Sequence, residues 1–535
     1  MKSPIFLLGL LLGLAACSQS SMPTTTASND PAPPPAGAPR HPDAPGIDWF
    51  DGSVEDAFAA ARAQHKPVLL YWGAAWCPWC QVLKATVFTR TDFRETTKLF
   101  VPVYLDGDQA GAQKWGEKFG VQGYPTLLIL DSDQQEIQRI AGNMDVNQYA
   151  GLLDLALSDL QPVDALLKTA AQGTALNPAQ CRRLAFNGWR LQDVAQDQQA
   201  TLAQRLMQAM TQCPAASEVE RARLAVYAAG YGSDAESAAI AKGAKPSATL
   251  NAALNATLQV LEKPDQAMQM IDALQVVDDD TFAVVKKQSP KFSELFGRLY
   301  IAAMSGAVSD VRYSSADQLA ALASGLAATK AFSADGKLSE AAREAAQQRV
   351  IDTLGSESRS YVRSGIIDAG LAVFDEIDEP QTAYDIVKAE LANTATPYYY
   401  KADLGQICEQ LGHKDEALKW YAEGYNEARG AATRFQWGQI YVGGLTRLTP
   451  QDSKTILNVT SSVLGELEGQ DRLYRRARTR LARLEKVLRT WQQNGAGANQ
   501  TETLKALHTR MQQICTKIPA TEPARQTCDG FLAQV

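Results

Sequence analysis

The stretch VLLYWGAAWCPWC, residues 68–80, sets an apolar run directly before two cysteines separated by two residues. VLLYWGA is short, apolar and bounded by turn residues, the pattern of a buried strand. CPWCQVLKATVF then has helical spacing, so Cys77 falls at a strand-to-helix junction. Unpaired backbone N–H groups and the positive end of the helix dipole stabilise a thiolate there and lower a cysteine's pKa. Cys80, one turn later, is placed to attack a mixed disulfide formed at Cys77. Such a pair can be a redox couple, half of a metal site or a structural staple. A zinc site needs four ligands, and none of His41, His65, His413 and His508 stands in ligand spacing with the pair. Structural bridges rarely sit on a helix N-terminus, which favours the redox couple. No metal and no cofactor are implied.

Working outward, Ser53 with Asp56 three residues later is an N-cap signature, and VEDAFAAARAQHKP is helical up to Pro67. LFVPVYLD reads as a second strand and DQAGAQKWGEKFGV as a helix. GYPTLLILDSDQQEIQRIAG reads as two strands joined by a polar turn at 131–134, and DVNQYAGLLDLALSDL as a closing helix. The order is helix, strand, helix, strand, helix, strand, strand, helix. Pro125 stands just before a central strand, where it removes a ladder donor and demands an explanation.

AAWCPWC after the first strand, and GYPT before the final hairpin, resemble the thioredoxin fold. The similarity is closest to thioredoxin-like domains of periplasmic thiol:disulfide interchange proteins and covers residues 47–160. The resemblance implies an α/β fold, a central mixed sheet flanked by helices, and thiol:disulfide exchange. It makes Cys77 the nucleophile and Cys80 the resolving cysteine, with Trp76 beside them. Pro125 becomes a cis proline facing the pair, and Tyr124 a contact to the substrate chain. Pro78 and Trp79 form the dipeptide that tunes the potential. Two departures stand out. Tyr71 occupies the place of thioredoxin's buried aspartate, and VPVYLD lacks the lysine of the neighbouring strand. The dipeptide also differs from thioredoxin's, so the direction of electron flow stays open, with reduction favoured.

The chain of 535 residues exceeds one ordinary core, and its net charge of -7 argues against coating nucleic acid. At the N-terminus, MKSPIFLLGLLLGLAAC carries one lysine and an apolar run too short to span a bilayer. LAAC resembles the lipobox of bacterial lipoproteins, implying cleavage of a signal at 1–16 and lipid on Cys17; an ordinary secretory signal is the alternative. Ser18 is the residue type that goes with outer-membrane sorting. Residues 17–46, rich in Pro, Ser, Thr and Ala, read as an extended tether. In an oxidising compartment the remaining cysteines pair where they can, Cys181 with Cys213 and Cys515 with Cys528, leaving Cys408 as a buried apolar residue.

From 161 to 535 strand-like runs almost vanish and helical spacing dominates, so an all-α region of hairpins or a solenoid is expected. Around 361–460, Leu404, Gly405, Cys408, Ala417 and Tyr421 overlap the tetratricopeptide pattern, with Lys401 in place of its tryptophan; an irregular helical domain is the alternative. Arginines between Arg472 and Arg489 flank a leucine stripe, which reads as a solvated helix face over a buried seam; docking to an acidic partner or to lipid phosphates is the alternative. The expected activity is a lipid-anchored, envelope-facing thiol:disulfide oxidoreductase with a helical partner-binding region. Its partners would be protein thiols and disulfides and a redox partner protein, with membrane contact through the lipid alone and no nucleic acid. The rival reading is a non-catalytic envelope scaffold that uses both regions for protein binding.

Overall fold

The computed structural model describes residues 46–109, 111–141, 148–191, 194–468, 472–495, 500–519 and 523–533. The expected signal at 1–16, Cys17 and the expected tether, up to residue 45, lie outside the described residues. The elements that position the cysteine pair are α1 (Val54–Gln64), β1 (Val68–Gly73), α2 (Pro78–Thr86), α3 (Thr91–Thr97), β2 (Val101–Asp106), α4 (Ala112–Lys118), β3 (Thr126–Leu130), β4 (Glu136–Ala141) and α5 (Gln148–Ser158). A reciprocal capping box of Ser53 and Asp56 starts α1, and His65, in the left-handed region, ends it before Pro67. Sequence spacing ran one helix through Phe88; the helix instead stops at Thr86 and the separate α3 follows. That short helix is mostly polar and rich in Thr, so it lacks a helical apolar pattern and buries only Phe93 and Thr97.

The strands form a mixed sheet in the order β2-β1-β3-β4. β1 runs parallel to β2, pairing Leu70 with Val103, and antiparallel to β3, pairing Leu70 with Leu128. Every residue of β1 is buried because both faces are covered, which explains its continuous apolar run. Leu69 and Tyr71 point to one side with Leu83, Phe88 and Leu152, whereas Val68, Leu70 and Trp72 point to the other with Phe58 and Trp115.

Beyond α5 the described residues form helices and no further strand. Disulfides join Cys181 to Cys213 and Cys515 to Cys528, and Cys408 is free and buried. The core under Tyr71 and α5 continues into the helical residues as far as Ala328, and the described residues form one compact unit. The solvated-face reading of the arginine-rich stretch needs correction. Its helix, Arg475–Gln493, buries Leu481, Leu484 and Leu488 as expected. Part of its basic face, however, turns onto the sheet domain. Arg478 pairs with Glu117 of α4 (Nη1–Oε2 3.3 Å), and the Arg475 N–H donates to the same carboxylate.

Candidate active site

Cys77 is the N-cap of α2, and its Sγ accepts the Cys80 backbone N–H at 3.1 Å. Pro78 at the first helical position sacrifices no intrahelical bond. The structure joins Cys77 to Cys80 as a disulfide. The Tyr124–Pro125 peptide bond is cis. Cys77, Trp76 and Cys80 are only 3%, 9% and 0% exposed, although reactive cysteines of this kind are ordinarily accessible. The cover comes from the chain's own helical residues. Ala74, Trp76, Cys77 and Cys80 share one apolar cluster with Tyr398, Phe435 and Trp437.

Two polar bridges fasten this cover. The Trp76 indole N–H donates to Asp108 Oδ2 at 2.9 Å and lies 3.0 Å from Thr433 Oγ1, whose hydroxyl donates in turn to Asp108. The Trp79 indole N–H donates to Asp368 Oδ2 at 2.6 Å, and the Tyr399 hydroxyl donates to Oδ1 of the same carboxylate at 3.0 Å. Around them Trp76 stacks on Tyr399 (centroids 5.8 Å) and meets Trp437 and Tyr124 edge-on at 5.2 and 5.7 Å. The helix Ser360–Ile377, which carries Asp368, approaches α2 closely at Gly365. A Cβ there would lie 2.9 Å from Val82 Cγ2. A groove of about 870 Å³ opens along α2, lined by Trp79, Val82 and Thr86 and facing Met268, Arg312 and Tyr313.

Burial sets the electrostatics. It lifts the Asp108 carboxyl to about 6, against the hydrogen bonds from Thr433 and Trp76. It raises Asp368 as well, opposed by Trp79 and Tyr399, and pushes Asp403 up to about 8 with help from the Asp368 charge. Burial also raises Asp106. Tyr71 is fully buried and packed on Phe88 and Tyr104, and its hydroxyl has no hydrogen-bond partner. It supplies no acid in place of the missing aspartate. Among the described residues no group of His, Cys, Asp and Glu could hold a metal ion.

The structure thus brings Trp76, Cys77, Trp79, Cys80 and Tyr124 into one cluster, with Pro78 opening α2 beside Cys77 and Pro125 following Tyr124 through the cis bond. Cys181, Cys213, Cys515 and Cys528 belong to two other disulfides. Asp108, Asp368, Tyr399, Thr433 and Trp437 were not foreseen. Asp106 ends the second strand and Asp108 follows it closely enough to be suspected, but nothing local points Asp368 at Trp79 across 289 positions.

Residues 54–157 match the family model of the thioredoxin-like domain. Over 100 residues, 18% of this chain, the sequence is 32% identical to the thiol:disulfide interchange protein DsbD of Pseudomonas fluorescens. The match spans 17% of that relative's length. Among solved structures, a DsbH oxidoreductase aligns at 21% identity and a TM-score of 0.17, over 18% of this chain and 72% of that one.

Proposed function

We propose that the chain is a thiol:disulfide oxidoreductase of the bacterial cell envelope, lipid-anchored through Cys17, that acts on exported proteins. The observation that carries the reading is Cys77 as N-cap of α2, with the Cys80 N–H donating to its sulfur. The signal-like N-terminus supports the location, and the thioredoxin-like match supports the chemistry. In the reducing direction, which we favour, the Cys77 thiolate attacks a substrate disulfide. A mixed disulfide forms and one substrate thiolate leaves, taking a proton from water. The Cys80 thiolate then attacks Cys77 Sγ, releasing the second substrate thiol and leaving Cys77–Cys80 oxidised. Two electrons pass, and a dithiol partner protein restores them. Because the pair is buried, exchange with a protein requires the helical residues around Asp368 and Thr433 to move away from Trp76 and Trp79.

That burial also favours a second reading, a scaffold in which the covered thioredoxin-like domain only binds. One experiment separates the two. The purified protein is incubated with a disulfide-containing protein and dithiothreitol. The redox reading expects faster reduction than without it, loss of the effect in Cys77→Ser, and a trapped mixed disulfide in Cys80→Ser. Absence of both acceleration and adduct, even with the cover loosened by Asp368→Ala, would leave the scaffold.

A further inference from the structure

On the helix Arg475–Gln493, Arg476, Arg480 and Arg483 follow one another at intervals of four and three and share a face. Other arginines of this helix find carboxylates, Arg478 at Glu117 and Arg489 at Glu485. The three on this face form no ion pair with the described residues. Arg476 lies over the Tyr124 ring (Cζ to centroid 4.7 Å) and donates from Nη2 to Gln436 Oε1 at 3.0 Å. The Nε atoms of Arg476 and Arg480 are buried with no hydrogen-bond partner. Asp108 feels the Arg476 charge, but its oxygens are engaged by Trp76 and Thr433. Burial, with Arg476 and Arg483 close by, pulls the Arg480 guanidinium down to about 9.

A solvated arginine row on a helix is commonplace, but Arg476 and Arg480 are half-buried, and a guanidinium whose Nε is buried without a partner calls for a counter-charge. Guanidinium forks match the paired oxygens of carboxylates and phosphates. Arg483 is exposed, so the row opens to solvent at its far end. We propose that Arg476, Arg480 and Arg483 form an anion-binding site beside Tyr124 that takes a single oxyanion group of the phosphate or carboxylate class. The site adjoins the cysteine pair through Tyr124, but anion binding there does not depend on the thiol chemistry.

The test is calorimetric titration of the oxidised full chain with inorganic phosphate and, separately, with an oligoglutamate peptide, each against chloride at equal ionic strength. Saturable binding of either is expected. Phosphate binding identifies a free ion or phosphate group as the source, and peptide binding identifies a carboxylate on a polypeptide. Arg480→Met and the exposed variant Arg483→Gln should each weaken it by about tenfold or more. Arg480→Met should also melt no lower than wild type without ligand, because it removes a half-buried charge whose Nε has no partner. Binding of neither probe beyond chloride, or binding unchanged in both variants, would overturn the proposal.

Discussion

Replacing Asp368 by alanine tests whether the helical residues govern access to the cysteine pair. In the closed arrangement Asp368 accepts from both Trp79 Nε1 and the Tyr399 hydroxyl. Without it, both donors stay partly buried and unpaired while the cover is closed, and find water once it opens. Leaving one buried donor unsatisfied costs about 1–3 kcal/mol, and removing a carboxylate that burial already penalises returns part of that. A net bias of about 2 kcal/mol toward opening corresponds to roughly a thirtyfold rise in the open fraction. When opening is fast relative to chemistry, the reduction rate follows that fraction. The assay is reduction of Cys77–Cys80 by dithiothreitol, quenched with a maleimide and read by mass on the peptide carrying both cysteines. Asp375→Ala, exposed on the same helix, serves as the control. A folded Asp368→Ala protein reduced within about twofold of the wild-type rate would refute the argument.

Three further outcomes follow from the same geometry. Gly365→Leu should drive a side chain into Val82, cost about 1–3 kcal/mol in overpacking, and speed reduction of the pair as Asp368→Ala does; an unchanged rate would contradict the close approach of that helix to α2. Asp108 is lifted to about 6 by burial, so the closed fold holds its proton more tightly than an open or unfolded chain. Its stabilising contribution is therefore complete below the ordinary carboxylate range and lost as pH rises through about 6. Melting temperatures should show wild type losing ground to Asp108→Asn across that window, and parallel curves would exclude the linkage. Tyr71→Phe removes a buried hydroxyl without a partner, so stability should hold or rise by up to ~1 kcal/mol and disulfide reduction should be unchanged. A tenfold loss of activity would instead make Tyr71 a proton carrier.

The order of strands and helices around Cys77, the short α3 excepted, was legible because those elements answer to local rules. Examples are the Ser53 capping box, the doubly buried β1 and the polar turn before β4. The helical character of the later residues was legible for the same reason. What escaped was the encounter between the two. Thr433 and Asp368 are ordinary polar residues in helical sequence, and only folding carries them to Trp76 and Trp79. The arginine-rich helix misled in the same way. Its amphipathic period located the leucine seam correctly, but period alone cannot tell a solvated basic face from one packed on Glu117 and Tyr124.

The central claim is that Cys77–Cys80 cycles between disulfide and dithiol rather than serving as a fixed staple. Its reduction potential tests this most directly, measured by equilibrating the full chain in graded thiol–disulfide buffers and following the peptide that bears both cysteines. The account predicts one two-electron transition between about −270 and about −120 mV, the span of working couples in this fold. A pair that stays oxidised below about −300 mV would mark a structural bridge and contradict it.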